Sequence, residues 1–596
     1  LLINILNSII YSKNNNYLIS KECTINTEET LYECSIKQNN ASKIESDSQT
    51  SSLPKNFKFN SEKIIKNLNV EIRNLEGDVT YLKIFDEEKP RYEIPRNTIE
   101  YFELKKNFLK FPKMKKNLQN LENLKTGNPF EINYLSDNGE NSLFSLFENE
   151  FFFMEDFISF NYNFFSNQIF GYGERFTDFK LKAGIYTTWP RDIPNSNDDG
   201  KGAKNSYGHQ PFFLHRKNST SFIGFAFLNS NAQDLIVNEK NQTTGITNVK
   251  QITIGGIIEL MIINGNSANE VLRKYHNIIG KPVLPNFWAL GWHQSRWGYR
   301  NTSQLENVIA NYNKNKIPID TIWSDIDYLK NLTDFDYDHY NYKGLPEFVQ
   351  DVKKQGIHYV PIIDMGIPNK TEDKYFQLGK KLDVFIRSNY TKEYLINQVW
   401  PGLCVYPDFT KYEEAKTLWF TGLSDLNKDL NFDGIWLDMN EPSGFEIGEI
   451  PNKDLDESKN AYSNLSYMPG AGRDYYTINN NSISVNAIMN KELAPFNTIY
   501  NLKPINAFYE NKITHEYFAS LKKRPFVLSR SSFMGMNRYT SHWLGDDWSD
   551  YNNMTRTIAG IFNAQMYGFN LVGADICGLL NDTTDELCAR WTALGS

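Results

Sequence analysis

Residues 433–445 read DGIWLDMNEPSGF, an apolar run that gives way at once to Asp438, Asn440 and Glu441. Ionised carboxylates are costly to bury unless they are paired, hold a metal or do chemistry. Three readings compete. One is a structural turn capped by Asp438. A second is a calcium loop opened by Asp429, Asn431, Asp433 and Gly434, but its twelfth position falls on Asn440 instead of a glutamate, and no flanking pair of amphipathic helices is evident. The third is a reactive carboxylate at the C-terminal end of a barrel strand.

The same pattern recurs along the second half of the chain. FWALGWH gives way to QSRWGY, TIWSD ends at Asp325, and HYVPIID ends at Asp364. PFVLSR ends at Arg530, SHWLGD at Asp546 and NLVGAD at Asp575. Apolar runs without alternation, separated by helical stretches, mark a parallel sheet buried on both faces. A doubly wound nucleotide-binding sheet would carry a glycine-rich phosphate turn, and neither G-x-G-x-x-G nor a P-loop is present. A (β/α)₈ barrel instead gathers functional groups at the C-terminal ends of its strands. The expected fold is therefore α/β, a (β/α)₈ TIM barrel over 281–596. Seven of its eight strands precede the last residues, ALGS, so an incomplete barrel is expected, with a polar insertion at about 446–500.

Upstream, runs such as VTYLKIF, SFIGFAFLN and VKQITIGGIIELMII predict an antiparallel β-sandwich over 56–280. Residues 1–55 are rich in Asn, Ser, Thr, Lys and Glu and read as a flexible polar leader. The chain of 596 residues is long enough for several domains. Its net charge of −8 offers nothing to a phosphate backbone, so nucleic acid is not an expected partner. No stretch is apolar enough over sufficient length to span a bilayer. Cys23 and Cys34, and Cys577 and Cys588, form two equally spaced local pairs beside a lone Cys404, a pattern that fits an oxidising compartment. Asn-x-Ser/Thr triplets at Asn218, Asn241, Asn301, Asn331, Asn389 and Asn553 point the same way, towards the secretory pathway.

A ring of carboxylates, Trp and Arg suits glycoside hydrolysis, which needs two carboxyl groups flanking the scissile bond. No metal-ligand spacing such as H-E-x-x-H and no nucleophile elbow is present, so neither metal nor cofactor is expected. GIWLDMNEPS resembles the signature of the glycoside hydrolase family 31 α-glucosidases. The resemblance continues through LGWHQSRWGY, IWSDIDY, VWPGLCVYPDF, RPFVLSRSSF, RYTSHWLGDDWS and LVGADICG, in the family's order. The segment YTTWPRDIP…YGHQPFFL is similar to the lysosomal and intestinal members, in which a sandwich loop reaches the active site.

The resemblance implies Asp438 as nucleophile, Asp546 as general acid/base and Glu441 as the residue that orients the nucleophile. It implies Arg530 beside the nucleophile, Asp325 gripping the first glucose and Asp192 reaching in from the sandwich. Trp297, Asp364, Trp400, Trp436, Met439, Trp543 and Asp575 would line the pocket. The implied function is a retaining exo-acting α-glucosidase acting on maltose-, oligosaccharide-, glycogen- or starch-like substrates. It would be lysosomal or secreted, and a disulfide-bonded glycoprotein. Other activities of the family (glucosidase II, α-xylosidase, α-glucan lyase) and a non-catalytic carbohydrate-binding paralogue are the alternatives. Asp547 stands directly after the implied acid, and if buried it is expected to raise the pKa of Asp546.

Overall fold

The computed structural model describes residues 17–25, 31–38, 54, 57–75, 79–104, 130–135, 142–194, 205–451, 465–470 and 478–595. Each apolar run singled out in the second half forms one strand of a curled, seven-stranded parallel sheet. In spatial and chain order these are His293–Gln294, Thr321–Ser324, His358–Ile363, Ile435–Leu437, Val527–Ser529, Ser541–Trp543 and Val572–Gly573. Helices such as Thr302–Lys314, Leu345–Lys354, Tyr412–Leu430 and Tyr551–Met566 alternate with them. Their apolar faces seal the outside of the sheet: Leu418, Trp419, Leu423 and Leu426 of Tyr412–Leu430 are all buried.

One crossover departs from the pattern. Between Val527–Ser529 and Ser541–Trp543 the chain makes only a 3₁₀ turn, Met536–Arg538. The sandwich packs where a helix would lie. The His209 N–H donates to the Ser532 carbonyl at 2.7 Å, and His209 bridges to Phe533 as in a parallel ladder.

The N-terminal half is two antiparallel sheets, one of eight strands and one of six. Their inner faces share a core of Phe144, Tyr162, Phe164, Phe213 and Phe225. Aromatic rings cross edge to face there, as between Tyr162 and Phe213 with centroids 5.3 Å apart.

One expectation needs correction. The expected polar leader contains strands Tyr17–Ile25 and Leu31–Gln38, which pair with each other and continue the eight-stranded sheet onto Asn67–Leu75. Tyr17, Ile19, Cys34 and Ile36 face inward while lysines and serines face out. An average over the stretch hides that alternation. The described parts of the polar insertion at about 446–500 pack against the sandwich. Ile483, Val485, Ala487 and Met489 are buried, and the Ile478 carbonyl accepts from the Trp189 indole N–H of the sandwich at 2.9 Å.

Candidate active site

Asp438 directly follows strand Ile435–Leu437, and its N–H donates to the Ile363 carbonyl at 3.0 Å. Met439 then takes a left-handed φ of 55°, a conformation that costs a non-glycine residue free energy and needs surrounding support. Its N–H donates to Asp438 Oδ1 at 2.8 Å. The support comes from Asn440, which is fully buried. Its amide donates to Glu510 Oε2 and Ser529 Oγ, both at 2.9 Å, and its Oδ1 accepts from the Ser531 N–H at 2.9 Å. The turn is thereby fastened to the neighbouring strand end that carries Arg530.

Arg530 is the electrostatic hub. Its guanidinium lies 2.9 Å from Asp438 Oδ1 and 2.8 Å from Glu441 Oε2, with Asp192 Oδ1 at 3.6 Å. Its Nε also donates to Glu441 Oε1 at 2.9 Å, which makes the Glu441 contact a two-pronged fork. The guanidinium sits 4.6 Å from the centroid of the Tyr207 ring, a sandwich residue. Burial opposes the Arg530 charge, but Asp438, Glu441 and Asp192 outweigh it and hold the guanidinium firmly protonated.

Asp192 reaches in from the sandwich, as the motif implies. Its Oδ2 accepts from Ser443 Oγ at 2.9 Å, and its N–H donates to the Asn481 carbonyl at 3.3 Å. Beneath this segment lies a fully buried Lys503, whose ammonium donates to the Pro190 carbonyl and to Ser482 Oγ. Asp546 follows strand Ser541–Trp543, and its N–H donates to the Tyr207 hydroxyl at 3.3 Å.

The carboxyls of this cluster are pushed upward by burial first. Asp438 and Asp546 each rise to about 6 and Glu441 to about 7, with Arg530 opposing the rise in every case. Arg530 contacts Asp438 directly and Asp546 only at longer range, so the direct contact favours Asp438 as the ionised member. Asp325 rises to about 7 through burial, with Asp438, Asp327 and Asp546 adding to it. Asp364 is almost fully buried, neither of its carboxyl oxygens has a hydrogen-bond partner, and burial followed by Asp334 drives its pKa well up.

The structure separates the neighbours Asp325 and Asp327. Asp327 Oδ2 accepts from the Gly298 N–H at 2.6 Å and fixes the loop bearing Trp297. Asp325 faces the charged cluster instead. Trp436 and Trp543 stand edge to face at 5.2 Å, and Trp400 lies between Phe445 at 4.9 Å and Trp297 at 6.1 Å. Trp297 is 52% exposed, whereas Met439 is buried and places its sulfur 3.2 Å from Arg530 Nη2. Asp325, Asp364, Asp438, Arg530, Asp546 and Asp575 follow the barrel strands, Trp436 and Trp543 lie within them, Trp400 sits at the turn between strands Asn397–Val399 and Gly402–Val405, and Asp192 comes from the sandwich.

Asp547 is buried, yet its nearest consequence falls elsewhere than expected. Its N–H donates to Asp575 Oδ2 at 3.3 Å, and its charge adds to burial in raising the Asp575 carboxyl. The groups that raise Asp546 besides burial are Asp192 and Glu441. The calcium-like positions are otherwise employed: Asn431 caps helix Tyr412–Leu430 in a left-handed turn, and Asp433 pairs with Lys353 at 3.0 Å. Cys577 and Cys588 form a disulfide between the loop after the last strand and helix Asp585–Gly595. Cys404 is a buried free thiol, and the Cys23 side chain lies outside the described residues. Among the sequon asparagines, Asn553 is fully buried and bonded to Asp550, so its side chain is closed to modification.

Fold and site together define a barrel enzyme class built on paired carboxylates at strand ends. Residues 282–596 match the glycosyl hydrolases family 31 TIM-barrel domain, and residues 63–233 match the glycosyl hydrolase 31 N-terminal galactose mutarotase-like domain. The chain belongs to glycoside hydrolase family 31. It is 35% identical over 460 residues to a lysosomal acid alpha-glucosidase of Tetrahymena pyriformis, covering 72% of this chain and 48% of that protein. It is 30% identical over 531 residues to human intestinal sucrase-isomaltase, covering 86% of this chain and 27% of the relative. The chain thus spans less than half the length of these relatives. A crystal structure of the glucosidase II alpha subunit superposes with a TM-score of 0.77 at 17% identity, covering 98% of this chain and 65% of that one, which shows the shared fold. No helix among the described residues is long and apolar enough to cross a membrane.

Proposed function

We propose that this chain carries the catalytic centre of a retaining, exo-acting α-glucosidase that releases terminal α-1,4-linked glucose from maltose-, oligosaccharide- or glycogen-like substrates. The observation that carries the reading is Arg530, which holds Asp438 and Glu441 together at 2.8–2.9 Å while Asp546 stands on the adjoining strand end. Asp438, ionised against Arg530, attacks the anomeric carbon from the β face. The bond from that carbon to the leaving oxygen breaks as Asp546 delivers its proton to that oxygen. Water then enters from the α face, gives its proton to Asp546, and displaces Asp438, so the glucose leaves with its original α configuration. Glu441 holds Arg530 in register and keeps Asp438 aimed.

Asp325 and Asp364 supply acceptors for sugar hydroxyls, and both Asp364 oxygens lack a hydrogen-bond partner within the protein. Trp297, Trp400, Trp436 and Trp543 offer ring faces to the apolar side of the sugar. A lysosomal location draws on the lysosomal relatives and the α-1,4 preference on the motif resemblance, because the more distant structural likeness speaks for the fold alone. The test uses azide as a substitute nucleophile. Asp438→Ala with an activated α-glucoside should return β-glucosyl azide, because azide enters where the carboxylate stood. Asp546→Ala should form the covalent intermediate from α-glucosyl fluoride and return α-glucosyl azide. Identical anomers from both variants would refute the assignment.

A further inference from the structure

Tyr207 lies in sandwich strand Asn205–Asn218, in the stretch SYGHQPFF, which reads as an ordinary buried strand. It is fully enclosed, and three of its contacts converge on the carboxylate centre. Its ring lies under the Arg530 guanidinium at 4.6 Å. Its hydroxyl accepts from the Asp546 N–H at 3.3 Å. Its ring edge also lies flat against Gly545, the residue before Asp546. Gly545 has a φ of 82°, and a β-carbon there would sit 2.0 Å from the Tyr207 ring. The backbone that presents Asp546 can therefore approach the ring this closely only because residue 545 is glycine.

The phenol oxygen accepts that backbone N–H with one lone pair, and its own proton remains available to donate. The hydroxyl also holds the Asp546 carboxyl down against the effect of burial. We propose that Tyr207 is a positioning residue for the general acid/base: the sandwich, through this one phenol, holds the main chain that presents Asp546 and fixes it against Arg530. The proposal rests on the reading of Asp546 as acid/base given above.

The consequence is a titration set from outside the barrel. Arg530 and the Tyr207 hydroxyl favour the ionised form of Asp546, whereas burial, Asp192 and Glu441 favour the protonated form. Asp438, Asp325 and Asp575 also feel the Asp546 charge. Ionised Asp546 in turn raises the Tyr207 phenol, after burial, well above its ordinary value, so Tyr207 stays a donor throughout the working range.

The experiment compares pH profiles of kcat/KM for maltose and for α-glucosyl fluoride, which needs no proton at its leaving atom. Tyr207→Phe keeps the ring against Gly545 and Arg530 and removes only the hydroxyl. The basic limb for maltose should move to higher pH by about half to one unit, the scale of one hydrogen bond to a charged group. The fluoride reaction should change less than about threefold in kcat/KM, since the acid plays no part in its first step. Replacing Tyr207 with a ring-fluorinated tyrosine, a stronger donor of the same shape, should move the limb the opposite way and decides the matter if Tyr207→Phe folds poorly. Opposite shifts support the proposal. A basic limb unmoved in both variants, or equal losses on maltose and fluoride, would overturn it and leave Tyr207 as core packing. Failure of the underlying reading looks different: Asp546→Ala would then lose fluoride and maltose activity alike while the unsubstituted enzyme keeps its profile.

Discussion

Removing the Arg530 guanidinium is the sharpest perturbation of this site. Arg530→Gln keeps a planar, hydrogen-bonding side chain of similar reach but withdraws the positive charge from three carboxylates. Two unit charges about 4 Å apart interact by roughly 4 kcal/mol in a partly screened setting, and one pKa unit corresponds to about 1.4 kcal/mol. At the observed 2.9 Å, Arg530 accordingly holds Asp438 down against burial, and the two together leave it at about 6. Without the charge, the carboxyl should rise by a further ~2–3 units. An acid that must be ionised to attack would then be protonated over most of the acidic range. The acidic limb of kcat/KM should move up by the same ~2–3 units, with activity near pH 5.5 falling by about 100- to 1000-fold. Arg530→Lys retains the charge and loses the fork, so its limb should move by less than about one unit. Breaking a buried ion network costs about 3–5 kcal/mol of stability, so melting curves must accompany the rates. The assay is the pH dependence of kcat/KM on a nitrophenyl α-glucoside. A folded Arg530→Gln variant whose acidic limb stays within half a unit of the parent would refute the electrostatic argument.

Stability should also follow pH. Asp325 and Glu441 are raised to about 7 and Asp408 to about 6 by burial, from ordinary values near 4. The folded chain thus keeps protons that the unfolded chain has lost, so unfolding free energy falls as pH rises from about 4 through 7. Melting temperature should be a few degrees higher near pH 5 than near pH 7.5, and scanning fluorimetry showing the reverse would contradict the burial of these groups as acids. Lys503→Met should loosen the Asp192 segment by removing the donor to Pro190 and Ser482. KM for maltose should rise by about three- to tenfold with kcat changed less than about twofold; an unchanged KM in a folded variant would show that the segment is held by other contacts.

The barrel was legible because its chemistry and its burial coincide in the chain. Strands enclosed on both faces lose alternation and stand out as pure apolar runs, and each ends where a charged side chain must emerge. Asp438, Arg530 and Asp546 are therefore visible as sharp transitions in sequence. The leader strands were not, because a strand buried on one face only is half lysine and serine, and Tyr17 and Ile19 carry little weight in an average. Tyr207 and Asn440 escaped for a different reason. Buried tyrosine in a strand and asparagine in a turn are ordinary residues, and only their partners across the domain boundary or on the next strand give them a role. The YTTWPRDIP…YGHQPFFL motif located the right segment, but of the quoted residues only Asp192 offered a carboxylate. The insertion at about 446–500 is polar because asparagines there satisfy backbone groups, as Asn479 does for the Val485 N–H and Asn497 for the Met489 carbonyl.

The crossover without a helix, between Val527–Ser529 and Ser541–Trp543, makes the sandwich a structural organ of the barrel. Glu174 of the sandwich accepts from His542 at 2.5 Å and from Ser532 Oγ at 3.2 Å, on the strands or turns that follow Arg530 and precede Asp546. Anyone building chimaeras from such chains should therefore treat the seam, not the linker near residue 280, as the unit of exchange. Grafting a foreign sandwich would require the histidine, the glutamate, the tyrosine and the glycine to travel as a set. Drift in substrate preference can in turn arise in the N-terminal half while every barrel residue stays the same.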